Sequence, residues 1–186
     1  MTKKVFGIGF HKTATKSLGK ALETLGYKVC GPTGVNDPHI ERNVWGYVKT
    51  AIGQFTAFQD NPWPLLYKDL DREYPGSRFI LTIRPEDEWL DSIVAHFADK
   101  ETPMRRWIYG VGAPQGNEQI YLQRYRQHNQ EVMHYFADRP QDLLVMDITD
   151  GAGWGQLCPF LERRQPLIEF PFLNPKENRL DLPRHL

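Results

Sequence analysis

The sequence predicts an α/β fold, a three-layer sandwich with a central parallel sheet flanked by helices. Three observations predict it. Short apolar runs such as "VFGIG" (5–9), "SRFILTIR" (77–84) and "DLLVMDI" (142–148) are separated by longer stretches of helical period. Strands joined through helices pair in parallel and are covered on both faces. The first run also empties into a tight loop of small and hydroxyl residues, "GFHKTATKSL" (9–18), ahead of a helix. That is the layout of a phosphate cradle.

The elements follow in order. "KKVFGIG" (3–9) is a first buried strand. Leu18, Ala21, Leu22 and Leu25 recur at i, i+3, i+4 and i+7 and mark one helical face. Gly26 suits the left-handed position that closes such a helix. "YKVCG" (27–31) is a second strand, and "GPTGVNDP" (31–38) is a loop punctuated by Pro and Gly. "GQFTAFQD" (53–60) is a third strand, and "NPWPLLYKDLDREYPG" (61–76) a helix opened by Pro62 and Pro64. "SRFILTIR" (77–84) is the clearest strand. Pro85 suits the first turn of the next helix, whose positive end Glu86, Asp87 and Glu88 favour. The glycine- and proline-rich "ETPMRRWIYGVGAPQG" (101–116) is a mobile loop between helices. Residues 117–138 form a long helix with Tyr121, Tyr125, His128, Val132 and Tyr135 on one stripe. The strand "DLLVMDI" and a short helix over 154–162 complete the chain.

Composition sets the outer limits. The 186 residues suit a single domain over 1–186, with 40% hydrophobic and 25% charged residues, as in a globular protein. Zero formal net charge argues against a broad nucleic-acid or membrane footprint but leaves room for a local basic pocket. No apolar run is long enough to span a bilayer. The opening "MTKKVFGIGF" breaks at glycines and reads as a strand rather than a signal peptide. Cys30 and Cys158 are too few for a disulfide framework, so buried thiols in a reducing cytoplasm are expected.

In parallel sheets ligands bind beyond the C-terminal ends of the strands. That rule brings three spots to one crevice: the loop from His11 to Ser17, Asp60 after the third strand, and Arg84 after the fourth. In the loop, Thr13, Thr15 and Ser17 offer hydroxyls and Lys12 and Lys16 offer charge, beside main-chain N–H groups at a helix start. Simple capping would use one hydroxyl, not three with two lysines. The nucleotide signature G-x-x-x-x-G-K-[ST] is absent, because Phe10 and Thr15 stand where its glycines belong.

"GFHKTATKSL" resembles instead the 5′-phosphosulfate loop of sulfotransferases, roughly G-x-x-K-[ST]-G-T-T-x-[LF], with Lys12, Thr13 and Thr15 in register. Ala14 stands in place of the glycine and Lys16 in place of the second threonine. "FILTIRPEDEWLDSI" resembles the family's 3′-phosphate motif, a strand ending in Arg84 with Ser92 eight residues later. Arginine offers phosphate a fork of donors; a pairing of Arg84 with Glu86, Asp87 or Glu88 is the simpler alternative. "RYRQHNQEVMHYF", "DLLVMDI", "GAGWGQLCPFLE" and "FPFLN" are similar to segments of the bacterial sulfotransferase-like group, so the resemblance covers nearly the whole chain.

The resemblance implies a P-loop nucleotide-hydrolase-like fold, 3′-phosphoadenosine 5′-phosphosulfate as donor, and transfer to a hydroxyl or amine of a small molecule or glycan. It implies no metal, and it names neither the acceptor nor the oligomeric state. Lys12 would stabilise the leaving phosphate; Thr13, Ala14, Thr15, Lys16 and Ser17 would hold the 5′-phosphate; Arg84 and Ser92 would hold the 3′-phosphate. Asp60 takes the place of the family's base, with His11 as second candidate. A free Asp, with pKa about 3.9, would need burial to raise it into a useful range. A small-metabolite kinase and a non-catalytic nucleotide binder remain as alternatives. His128 and His134 do not share a helical face and suggest no metal pair. The resemblance implies that the loop carrying Arg105 and Arg106 covers the donor or shapes the acceptor pocket; a solvated basic pair on a surface loop is the alternative.

Overall fold

The computed structural model describes residues 3–173. The sequence-predicted single domain over 1–186 therefore reaches beyond the described residues, as does Asn174 of "FPFLN". Five parallel strands form the sheet: β1 (Val5–Gly7), β2 (Val29–Cys30), β3 (Ala57–Phe58), β4 (Arg78–Thr82) and β5 (Leu143–Met146). Their spatial order is β2-β3-β1-β4-β5, so β1 lies at the centre, with Val5 opposite both Ala57 and Arg78.

Side chains alternate across the sheet, as strand geometry requires. Phe6, Phe58, Phe79 and Leu81 enter one core with Ile8 and Phe10, while Val5, Ala57, Ile80 and Met146 enter the other. The first core is aromatic: Phe6 stacks on Phe58 at 5.0 Å and on Phe79 at 5.4 Å between ring centres. It is covered by α2 (Ile40–Ile52), α3 (Tyr67–Glu73), α4 (Glu86–Phe97), α5 (Pro103–Tyr109) and α6 (Glu118–Tyr135). The second face is covered by α1 (Thr15–Thr24) and α7 (Trp154–Phe160). This is the three-layer α/β sandwich that the alternation predicts.

Helix α1 ends as the sequence implies. Gly26, at φ 85°, follows Leu25, and the N–H groups of Tyr27 and Gly26 return to the carbonyls of Leu22 and Glu23. That pair of bonds is a Schellman closure.

Several elements differ from expectation. Residues 40–52, to which no element is assigned from the sequence, form α2, which places Ile40, Val44, Val48 and Ala51 in the core. That helix shortens the third strand, because Gln54 still turns back onto Ala51. The helix expected over 61–76 splits into a 3₁₀ turn (Trp63–Leu65) and α3, since Pro62 and Pro64 have no N–H to give. The loop expected over 101–116 contains α5, started by Thr102, whose Oγ1 accepts from Arg105 N at 3.1 Å, with Pro103 in its first turn. Cys158 is buried, but Cys30 is only half-buried.

Candidate functional site

The sheet order locates the site. The chain leaves β1 toward β2 and β3 on one side and later reaches β4 on the other, so the crevice opens at the end of β1 between β3 and β4. The His11–Ser17 loop, Asp60 and Arg84 follow these three adjacent strands.

Close backbone approach shapes the loop. A Cβ at Gly9 would lie 2.1 Å from Thr82 Oγ1 and 2.3 Å from the Thr82 carbonyl, so only glycine passes β4 here. Lys12 and Ala14 are both left-handed, at φ 69° and 63°. Ala14, which stands where the loop it resembles has glycine, therefore holds the conformation that glycine favours. It is also the N-cap of α1 and offers no side-chain hydrogen bond to the first turn. The helix start is thus left to main-chain donors, the arrangement that suits an anion.

The three hydroxyls turn inward. Thr13 Oγ1 donates to the Phe10 carbonyl and meets Thr82 Oγ1, each at 2.6 Å. Thr15 Oγ1 donates to Asp60 Oδ2 at 2.9 Å. Ser17 Oγ accepts from Leu173 N at 2.9 Å, tying the last described residue to the loop. Lys16 is exposed and Lys12 half-buried.

Asp60 is itself left-handed, at φ 67°, and its Oδ1 accepts from Asn61 N at 2.8 Å. Burial raises its pKa, against the lowering effect of those two hydrogen bonds and of Lys16 and Lys12. This is the direction a carboxylate base needs.

His11 is buried, with both ring nitrogens engaged: Nδ1 with Asn61 Nδ2 at 2.7 Å and Nε2 with Tyr109 Oη at 2.8 Å. Burial lowers its pKa to about 3, helped by Arg105, Lys12 and His96. The ring is therefore neutral.

Arg84 is buried at the end of β4, and its Nε and Nη2 reach Glu88 Oε2 at 3.3 and 3.1 Å. The Tyr125 hydroxyl bridges the Arg84 main chain, accepting from its N and donating to its O, both at 2.9 Å. Ser92 is buried two turns along α4. Of Arg105 and Arg106 only Arg106 is solvated. Arg105 is buried, lies over the Phe97 ring at 4.2 Å and donates to the Gly112 carbonyl at 3.1 Å; Arg106 pairs with Glu101.

Sequence reasoning missed Asn61, Thr82, Trp89, Tyr109 and Tyr125, the partners that hold the loop and the Arg84 turn in place. Among the described residues no cluster of His, Cys, Asp and Glu could hold a metal ion, and no helix is long and apolar enough to cross a membrane.

A family model described as a sulfotransferase domain matches residues 4–114 and 103–179. No curated protein matches the chain.

Proposed function

The chain belongs to the sulfotransferase domain family, and from that premise we propose that it transfers a sulfuryl group from 3′-phosphoadenosine 5′-phosphosulfate to a hydroxyl or amine of a small-molecule or glycan acceptor. One observation carries this reading: an uncapped helix start, entered through a left-handed loop with two lysines, at the end of the central strand and between Asp60 and Arg84.

In this mechanism the main-chain N–H groups from Thr13 to Ser17, with Lys12 and Lys16, hold the 5′-phosphate. The acceptor oxygen or nitrogen forms its bond to sulfur as the bond from sulfur to the phosphate oxygen breaks. The electron pair of that bond leaves with the phosphate, whose charge Lys12 meets. The acceptor proton passes to Asp60, which its raised pKa makes a better base. His11, already engaged at both nitrogens, is not the proton acceptor in this scheme. Arg84 and Ser92 take the 3′-phosphate, with Arg84 exchanging Glu88 for it. Lysines and main-chain donors, rather than a metal, meet the charge, and the two free cysteines suit a cytoplasmic setting.

The test needs no acceptor. Adenosine 3′,5′-bisphosphate, the product nucleotide, at about 100 times its Kd should raise the melting midpoint by roughly 5–10 °C without added metal. Arg84→Ala should remove most of its advantage over adenosine 5′-monophosphate. A larger shift with ATP and Mg²⁺ would favour a small-metabolite kinase, and no shift with either nucleotide a non-catalytic member of the fold.

A further inference from the structure

Four side chains grip His11. The Asn61 atom facing Nδ1 is its amide nitrogen Nδ2, which can only donate, so in this arrangement the ring proton sits on Nε2 and is given to Tyr109 Oη. The His11 carbonyl accepts the indole N–H of Trp89 at 3.0 Å. Phe97 meets the ring edge-on, with ring centres 5.2 Å apart. His11 itself is 5% exposed.

These partners lead to three parts of the site. Asn61 follows Asp60 and donates its own N–H to the Asp60 carboxylate. Trp89 and Phe97 belong to α4, which also carries Glu88 and Ser92. Tyr109 ends α5 and stacks on Tyr121 of α6 at 3.7 Å. On its other side His11 adjoins Lys12, the first of the two left-handed residues of the loop. Such backbone persists where its surroundings over-determine it. A residue needed only to fill space there would be apolar, whereas His11 uses both ring nitrogens and its carbonyl on separate elements.

We propose that His11 is a positioning residue. It locks the phosphate loop to the Asp60 turn, to α4 and to α5, so that the two phosphate ends of the donor and the base keep one fixed spacing. This rests on the donor site proposed above. A ligand that spans both ends gains from that lock, and a ligand that uses only the loop does not. The ratio of affinities for adenosine 3′,5′-bisphosphate and adenosine 5′-monophosphate therefore reports it.

The test is Tyr109→Phe in the full chain, which deletes one oxygen and keeps the ring on Tyr121. Two readouts are needed: the ¹⁵N spectrum of the histidine rings and the calorimetric Kd of both nucleotides. Wild type should show His11 as the neutral Nε2–H tautomer. The variant should show a tautomer mixture and a bisphosphate-to-monophosphate ratio lowered roughly tenfold, the scale of one buried hydrogen bond. A merely structural role would lower the melting midpoint and leave the ratio unchanged. Should Tyr109→Phe fail to fold, Asn61→Ser removes the partner of the other nitrogen and should lower the ratio in the same way. An unchanged ratio in the variant that folds overturns the positioning role alone. A wild type that does not prefer the bisphosphate overturns the donor site and the role together.

Discussion

Lowering the pH from 7 to 5 should weaken this fold by about 4 kcal/mol through two deeply buried histidines among the described residues. His11 and His128 are 5% and 1% exposed, and burial takes each from an ordinary pKa of 6.5 to about 3. Nε2 of His128 donates to the Ile8 carbonyl at 2.7 Å, and its ring stacks on Phe10 at 4.2 Å. The unfolded chain takes up both protons near the ordinary pKa, and the folded chain only near the lowered one. Between those values the unfolded state binds more protons, so stability is lost as the pH falls and the loss levels off below the folded pKa. For one such group the linkage gives about 2 kcal/mol between pH 7 and 5, and two groups double it. Asp60, whose pKa burial raises, acts in the opposite sense and offsets part of the loss. At 2–4 °C per kcal/mol the melting midpoint should drop by roughly 8–16 °C. The assay is urea and thermal unfolding at both pH values for the wild type and His128→Gln, which keeps an N–H donor for Ile8. The variant should lose only about 2 kcal/mol over the same interval. Equal losses in the two proteins would refute the account of His128.

Two further outcomes follow from the loop and its neighbour. Ala14→Gly should raise stability by roughly 0.5–1 kcal/mol, because the left-handed φ of 63° strains alanine more than the freer glycine chain costs; a lowered melting midpoint would show that the backbone there is not strained. Glu88→Gln should tighten adenosine 3′,5′-bisphosphate binding about two- to fivefold in calorimetry, by removing the competitor for Arg84. Weaker binding would show instead that Glu88 holds Arg84 in its binding position.

Periodicity and chain order made the fold legible. The Leu18–Leu25 stripe, Gly26 and the apolar runs predict α1, its closure and a parallel sheet, and the strand-end rule places His11, Asp60 and Arg84 on adjacent strands. Helix α2 carried a usable signal, Ile40, Val44, Val48 and Ala51 at helical spacing, diluted by Trp45, Tyr47 and Ile52 on its other sides. In α5 the Thr102–Pro103 start was outweighed by Gly110, Gly112 and Gly116. The partners of the loop were of another kind. Tyr109 lies 98 residues from His11, Trp89 lies 78 and Thr82 lies 69 from Thr13, and no local pattern announces a hydrogen bond across such separations.

Those long-range bonds also bear on the two departures from the family's loop. A hydroxyl that already donates to a carbonyl or a carboxylate has no proton left for a phosphate. Thr13 spends its proton inside the loop, and Thr15 spends its own on Asp60. In the proposed donor site, anion binding then falls to main-chain N–H groups, to charge and to the hydroxyl of Ser17, which accepts from Leu173 rather than donating. Under that division a lysine at position 16 is a reasonable exchange for a threonine, since an exposed ammonium reaches phosphate without needing a fixed hydroxyl geometry. Alanine at position 14 strains the backbone but keeps the turn, provided something outside the loop holds it. His11, with Asn61, Trp89 and Tyr109 around it, is that support, which ties the tolerance of Ala14 to the same lock that sets the spacing of the site.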